Sequence, residues 1–297
     1  MIENKVYDAI VVGTGISGGW AAKELCENGL NVLVLERGPM VKHIEDYKTM
    51  NDDSWDYNFK GELSREDKEK YHKQLRVGWA PKEDVKHFFV NDLEHPYQET
   101  KRFDWIRGYQ VGGRSLTWGR QSYRWSDIDF EANEKEGIAV DWPVRYKDIA
   151  PWYDKVESYI GVSGQALGLK QLPDGIFQPP MELNCVEKEL QESLSKKFDD
   201  GRLLTIGRAA HITENTTEFE GRGPCQHRSR CWRGCPFGGY FSSNSSTLPA
   251  AERTGNLTLR PNSIVHEVVY DENRNRATGV KIIDAETHEK LEFNSKI

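Results

Sequence analysis

Three stretches of this chain carry residue types whose spacing could do chemistry. The first lies in residues 7–38, YDAIVVGTGISGGWAAKELCENGLNVLVLERG, around Gly13-x-Gly15-x-x-Gly18. Such a turn binds a pyrophosphate when it joins an apolar strand to a helix. Gly13 permits the tight turn, Gly15 lets the backbone approach the ligand, and Gly18 lets the helix pack closely on the strand. The positive end of the helix dipole, at Ile16 and Ser17, then faces the phosphates. Glu36 ends the second apolar run, where its carboxylate could bind ribose hydroxyls and would repel a 2′-phosphate; Arg37 follows it.

The second stretch is Val111-Gly112-Gly113-Arg114-Ser115, followed by Thr117 and Trp118. Adjacent glycines let a backbone lie flat against a ligand, and small hydroxyls can donate to a phosphate or a ring carbonyl. A tight turn alone would need the same residues. The third stretch runs from Gly223 to Tyr240 and holds Cys225, Cys231 and Cys235, spaced C-x5-C-x3-C-P. Three chemistries compete for it: an iron–sulfur cluster on the thiolates, zinc on the thiolates with His227, or a reduced, metal-free loop.

The elements that must position these residues are legible around the first stretch. Val6, Ile10, Val11 and Val12 read as one strand, and residues 32–35 as a second. Between them a helical pattern carries Trp20, Ala21 and Leu25 and stops at Asn28-Gly29. Residues 39–102 lose the periodicity. They alternate charge with scattered aromatics, including Tyr47, Trp55, Tyr71, Trp79 and Phe88, with one exposed helix expected over 64–74. So long an excursion reads as a functional insertion, such as a lid or partner surface, or else as a partly disordered stretch, and its aromatics favour an ordered one that packs back on the domain. Its histidines, His43, His72, His87 and His95, lack ligand spacing and read as surface residues.

Further on, Asp148 is expected to cap a helix with Trp152, Val156, Tyr159 and Ile160 on one face, ended by Gly161. Val186, Leu190, Leu194 and Phe198 predict a second amphipathic helix, with Cys185 as a small core residue. Residues 203–212 read as a strand. Asn215-Thr216-Thr217 has the form of a glycosylation site without a secretion signal to give it meaning. Short β segments follow over 256–261, 263–270 and 277–283, with a hairpin turn near Asp271.

The totals narrow the function classes. The chain has 297 residues, 37% of them hydrophobic and 29% charged, which suits one large domain or two smaller ones. Its net charge of −7 argues against nucleic acid and anionic membranes as partners. No run approaches the ~20 apolar residues of a membrane span. The N-terminus lacks a basic-then-apolar leader, so cytoplasm is the expected compartment. Five cysteines, an odd number, make no disulfide framework.

The two glycine stretches together resemble the glucose–methanol–choline (GMC) oxidoreductases, flavoenzymes that oxidise alcohols. The resemblance extends over essentially the whole chain, most strongly at 6–38, 103–153 and 223–283. It implies an α/β fold, a Rossmann-type FAD domain with a partial substrate domain inserted. The expected division is an FAD domain over 1–160, a substrate or cap region over 161–250 with the cysteine loop, and a β-meander over 251–297. Implied FAD contacts are Gly13, Gly15, Ile16, Ser17, Gly18, Glu36, Arg37, Gly112, Gly113, Ser115, Thr117, Trp118 and the backbone of Val265. Some relatives bond the flavin covalently to a histidine at the place of Thr117, so threonine implies non-covalent FAD. The cysteine spacing resembles bacterial membrane-associated sugar dehydrogenases, in which it holds a three-iron cluster. Arg228, Arg230 and Arg233 would help offset the charge of such a cluster.

The implied activity is oxidation of a CH–OH group, on a sugar or sugar acid, with an electron-acceptor subunit as a further partner. Family members continue past the position of Ile297 to a catalytic histidine, so the chain reads either as the N-terminal portion of a longer protein, with its base outside these residues, or as a truncated gene product. Two rivals stay open: a non-catalytic FAD-binding or partner-binding subunit, and an oxidoreductase that uses NAD(P).

Overall fold

The computed structural model describes residues 6–78, 81–214 and 219–297. Trp79 and the 215–217 triplet lie outside them. In chain order the regular elements are β1 (Val6–Tyr7), β2 (Ala9–Val12), α1 (Ile16–Glu27), β3 (Val32–Leu35), α2 (Arg65–Lys70), α3 (Asp127–Phe130), α4 (Ala132–Glu136), α5 (Tyr146–Ile160), α6 (Cys185–Lys197), α7 (Thr247–Arg253), β4 (Leu257–Arg260), β5 (Ser263–Asp271), β6 (Arg276–Asp284) and β7 (Lys290–Ser295). They fall into two compact units. One comprises Met1–Trp118, Ser229–Pro236 and Ser242–Ile297; the other comprises Gly119–Arg228 and Phe237–Phe241. The chain thus leaves the first unit after Trp118, well before the 160/161 division expected from sequence.

The first unit contains the α/β core. Strands β2, β3 and β4 form a parallel sheet in that order, with Val32 opposite both Ala9 and Leu257. Parallel strands need a crossover, and α1 supplies it between β2 and β3. The run Val32–Leu35 is apolar throughout because both its faces are covered. Val32 and Val34 pack with Ala22 and Cys26 of α1 and Ala251 of α7. Leu33 and Leu35 pack on the other side with Tyr7, Val280 and Ile282. Each such fully buried side chain contributes roughly 2 kcal/mol of transfer free energy.

The apolar run that opens the chain is not one strand. Val6–Tyr7 pairs in parallel with β7, at the edge of the second sheet, whose order is β1-β7-β6-β5. Asp8 makes the break. Its carboxylate accepts the Lys296 ammonium at 2.6 Å and the Asn31 backbone N–H at 2.9 Å, and these two hold its pKa down to about 2. A charge placed mid-run lets one apolar sequence feed two sheets.

Residues 39–102 do pack back, through a core of their own. Tyr47, Leu63, Tyr71, Val85, Phe88 and Phe89 bury one another together with Ile106 and Leu116. Helix α2 starts after Ser64, whose hydroxyl accepts the Asp67 N–H, and is shorter than the expected 64–74 helix because a 3-10 turn, Gln74–Val77, follows it. His87 is not the surface residue expected. Its ring lies 4.2 Å from that of Phe88, and burial, reinforced by Lys48, pushes its pKa down to about 4.

The second unit has little regular sheet. Residues 203–212 form no strand and contribute only single bridges, at Ala209 and His211. The loops are pinned instead by buried arginines, which spread several N–H donors over carbonyls and carboxylates that would otherwise lack partners. Arg124 bonds Glu157 and Asp154, Arg208 bonds Asp174 and the Pro173 carbonyl, and Arg222 bonds the Gly238 and Ile160 carbonyls. Helix α5 starts two residues before Asp148. That residue closes a capping box by accepting the Arg145 N–H at 2.9 Å, and Gly161, at φ +75, ends the helix. Trp152, at 62% exposure, does not share the buried face. The apolar stripe of α6 is only half covered, with Val186 and Leu190 exposed and Leu194 and Phe198 half-buried, and Cys185 is exposed where a core residue was expected. No helix among the described residues is long and apolar enough to cross a membrane.

Candidate cofactor site

The site grows from the turn between β2 and α1. Gly13 takes φ +92 and donates its N–H to the Leu35 carbonyl at 2.7 Å, tying the turn to β3. Gly18 has no alternative: a Cβ there would lie 2.0 Å from the Gly13 carbonyl oxygen. Gly19 is equally constrained, since a Cβ would fall 2.5 Å from the Thr247 hydroxyl of α7. Gly15 differs. Its φ of −64° suits any residue, and a Cβ there would meet no protein atom within 4 Å. The protein does not need glycine at 15, so any requirement comes from what the turn holds.

The N-terminus of α1 is left open as well. No side chain caps it and no acidic residue stands in its first turn, while Ile16 and Ser17 are exposed. The first four N–H groups of a helix have no intrahelical acceptor. An anion can take them, and the dipole favours it.

The second glycine turn comes to the same place. The Gly112 N–H donates to the Thr14 hydroxyl at 2.9 Å, and a Cβ on Gly113 would stand 3.5 Å from Gly15 Cα. Two turns singled out separately in the sequence therefore face each other across bare backbone. Gly112, at φ +90, admits no side chain because Asn244 lies against it; Asn244 Nδ2 donates to the Val111 and Val41 carbonyls.

Glu36 is buried and already engaged. Its Oε2 accepts both the N–H and the hydroxyl of Thr14, and its Oε1 accepts the Gly38 N–H at 3.1 Å. A carboxylate has about four lone-pair sites, so room remains for about one ribose hydroxyl. Arg37 is exposed and stacks its guanidinium 4.0 Å from the Tyr109 ring. Ser115 departs from the donor role expected of it. Its hydroxyl proton goes to the Gly112 carbonyl at 2.6 Å and its oxygen accepts the Ser243 N–H, so the side chain braces the turn from within. Thr117 is buried at the end of the Gly113–Leu116 turn, and the Trp118 carbonyl accepts the Trp232 indole N–H. The Val265 side chain packs into the core beside Leu33 and Leu35, which leaves only its backbone for a ligand. Sequence reasoning missed Thr14, Ser243 and Asn244; the run of small polar residues at 242–247, just before an apolar helix, was the available signal.

An uncapped helix N-terminus, an open Gly15 and a facing glycine turn fit the ADP part of a dinucleotide. The cysteine loop is built otherwise. Its 229–236 segment lies in the first unit, where Arg233 bonds the Asp84 carboxylate and the Asp52 carbonyl, each at 2.8 Å, and Arg230 pairs with Asp53. Gly234, at φ +94, lies flat against the Tyr47 ring. Of the three arginines expected to offset the charge of a cluster, Arg230 and Arg233 are paired with aspartates of the 39–102 excursion. Cys225, Cys231 and Cys235 form no disulfide, and among the described residues no three His, Cys, Asp or Glu side chains gather to hold a metal ion.

Fructose dehydrogenase large subunit of Gluconobacter japonicus is 25% identical over 95% of this chain and 49% of its own length. Gluconate 2-dehydrogenase flavoprotein of Pantoea cypripedii is 26% identical over 98% and 49%. For 2-methyl-1,2-propanediol dehydrogenase of Mycolicibacterium austroafricanum the values are 26%, 98% and 48%. The chain spans about half the length of these relatives. A family model described as GMC oxidoreductase matches residues 7–296, and the chain belongs to that family.

Proposed function

We propose that the protein containing these residues oxidises a CH–OH group of an alcohol, a sugar or sugar acid, with non-covalently bound FAD. The observation that carries this reading is the meeting of the Gly13–Gly18 and Gly112–Gly113 turns beside an uncapped helix N-terminus. FAD, when bound, supplies the acceptor for the hydride that leaves the alcohol carbon. The open backbone at Gly15 and the first turn of α1 hold the pyrophosphate, and the spare lone pair of Glu36 takes a ribose hydroxyl. Glu36 also sets the preference against NADP-type ligands, since a 2′-phosphate would meet its charge. The Thr117 side chain cannot form the histidyl bond to flavin. Proton removal from the hydroxyl falls, in this reading, to a basic residue outside these 297.

The sugar assignment is supported by relatives named for fructose and gluconate, and the diol dehydrogenase supports the broader alcohol class. The "large subunit" in the name of the first favours an electron-accepting partner subunit here too. Acid precipitation of the purified whole protein should release yellow FAD into the supernatant, and anaerobic addition of sugars or sugar acids should bleach the flavin absorbance. A colourless protein would overturn the cofactor, and flavin held in the pellet would overturn its non-covalent binding. Bleaching by simple diols alone would move the substrate class.

A further inference from the structure

Thr14 stands second in the Gly13-x-Gly15 turn, a position at which the dinucleotide fingerprint asks for no particular side chain. It is completely buried. Both sides of its hydroxyl are used. The proton goes to Glu36 Oε2 at 2.5 Å, and a lone pair accepts the Gly112 N–H at 2.9 Å. Its own N–H donates to the same Glu36 oxygen at 3.0 Å. One side chain therefore joins the end of β3 to both glycine turns, across 22 and 98 residues of sequence. The far side of the second turn is fixed independently, by Asn244 on the Val111 carbonyl and Ser115 on the Gly112 carbonyl. The Thr14 hydroxyl thus bonds one turn directly to the other.

We propose that Thr14 is a positioning residue for the dinucleotide: its hydroxyl sets the gap between the two turns before the cofactor arrives. This rests on the FAD reading given above. Without the hydroxyl, the buried Gly112 N–H loses its acceptor and Glu36 loses a donor. The Gly112–Gly113 turn then samples other positions, and apparent affinity falls with the fraction of molecules that keep the gap open. Valine has nearly the same shape as threonine and keeps the packing, so Thr14→Val isolates the hydroxyl. Thr14→Ser returns it.

The test is the FAD dissociation constant of the whole protein, stripped of cofactor and titrated with FAD by flavin fluorescence. Thr14→Val should bind about ten- to a hundredfold more weakly, and Thr14→Ser within about threefold of wild type. Amide exchange of Gly112 in the unliganded protein should be slow in wild type and faster in Thr14→Val. Unchanged affinity in Thr14→Val, or a serine variant as weak as the valine one, would overturn the inference while leaving the FAD reading intact. Should the valine variant fail to fold, rapid exchange of Gly112 in unliganded wild type would overturn it alone. A wild type that binds no FAD removes both readings together.

Discussion

The glycine cradle and the 229–236 segment of the cysteine loop belong to the same compact unit, yet different forces hold them. In the cradle the backbone does the work. Gly13 and Gly112 sit at positive φ, Gly18 touches a carbonyl, and the side chains that help, Thr14, Glu36 and Ser115, are buried and bond backbone groups. The cysteine loop is docked by long side chains, Arg230 and Arg233, that reach aspartates about 150 to 180 residues earlier in sequence and remain partly solvated. A backbone-built site tolerates almost no substitution and little change with pH or salt. A site clasped by ion pairs can be loosened without unfolding what lies beside it.

The sharpest break in that contrast comes within the cradle. Gly18→Val should destabilise the protein by at least about 3 kcal/mol, because the new side chain meets a backbone oxygen with nowhere to go. Gly15→Val should cost about 1 kcal/mol or less, since its Cβ enters open space at an ordinary φ, yet should abolish FAD binding. Denaturant midpoints and flavin titrations separate the two. A Gly15→Val variant that unfolds, or that binds FAD normally, would show that the cradle is not open as described.

Acid should then distinguish the regions. His87 lies in the excursion that receives the cysteine loop. Its pKa is about 6.5 when unfolded and about 4 when folded. The folded state therefore binds fewer protons between those values. The stability that His87 contributes is complete above pH 6.5 and is lost as pH falls towards 4, by about 2 kcal/mol after allowing for partial solvent screening. Amide exchange over 39–102 should accelerate through this window while that of 13–18 does not, and His87→Gln should flatten the response. Equal acceleration in both segments would erase the distinction.

Smaller still is the clasp itself. Arg233→Ala removes bonds to Asp84 and to the Asp52 carbonyl and should lower stability by about 1–2 kcal/mol. It should raise protease cleavage within residues 49–61 and leave FAD affinity within about twofold of wild type. A large loss of FAD affinity would mean that the loop and the cradle are coupled.

Much of the cradle was legible because its constraints are local. A strand, a glycine at a tight turn and a helix stop lie within thirty residues, and period and residue type report them directly. The half-covered stripe of α6 shows the limit of the same method: four-residue spacing announces an amphipathic helix but does not say how much of it is covered. The expected strand over 203–212 failed because its backbone bonds scattered segments, at Arg120, Ser122, Ser163, Cys225 and Gly239, in place of one neighbouring strand. The split at Asp8 depended on Lys296, and the docking of the cysteine loop on Asp53 and Asp84, partners that no local window contains. The internal use of Ser115 was hidden for the same reason. A hydroxyl beside a glycine turn reads as a ligand donor until the carbonyl of Gly112 is seen to take its proton.

The pairing of β1 with β7 has a consequence for synthesis. Val6 and Tyr7 lie opposite Asn294 and Ser295, and Asp8 meets Lys296 across 288 residues of sequence. At ~5–20 residues per second, the first strand waits roughly fifteen to sixty seconds on the ribosome before its partner exists. The β2–α1–β3 unit can form early from near neighbours, whereas Val6–Tyr7 stays an unpaired edge throughout that interval. Closure of that edge therefore waits on the synthesis of residues 290–296, long after the β2–α1–β3 unit can form.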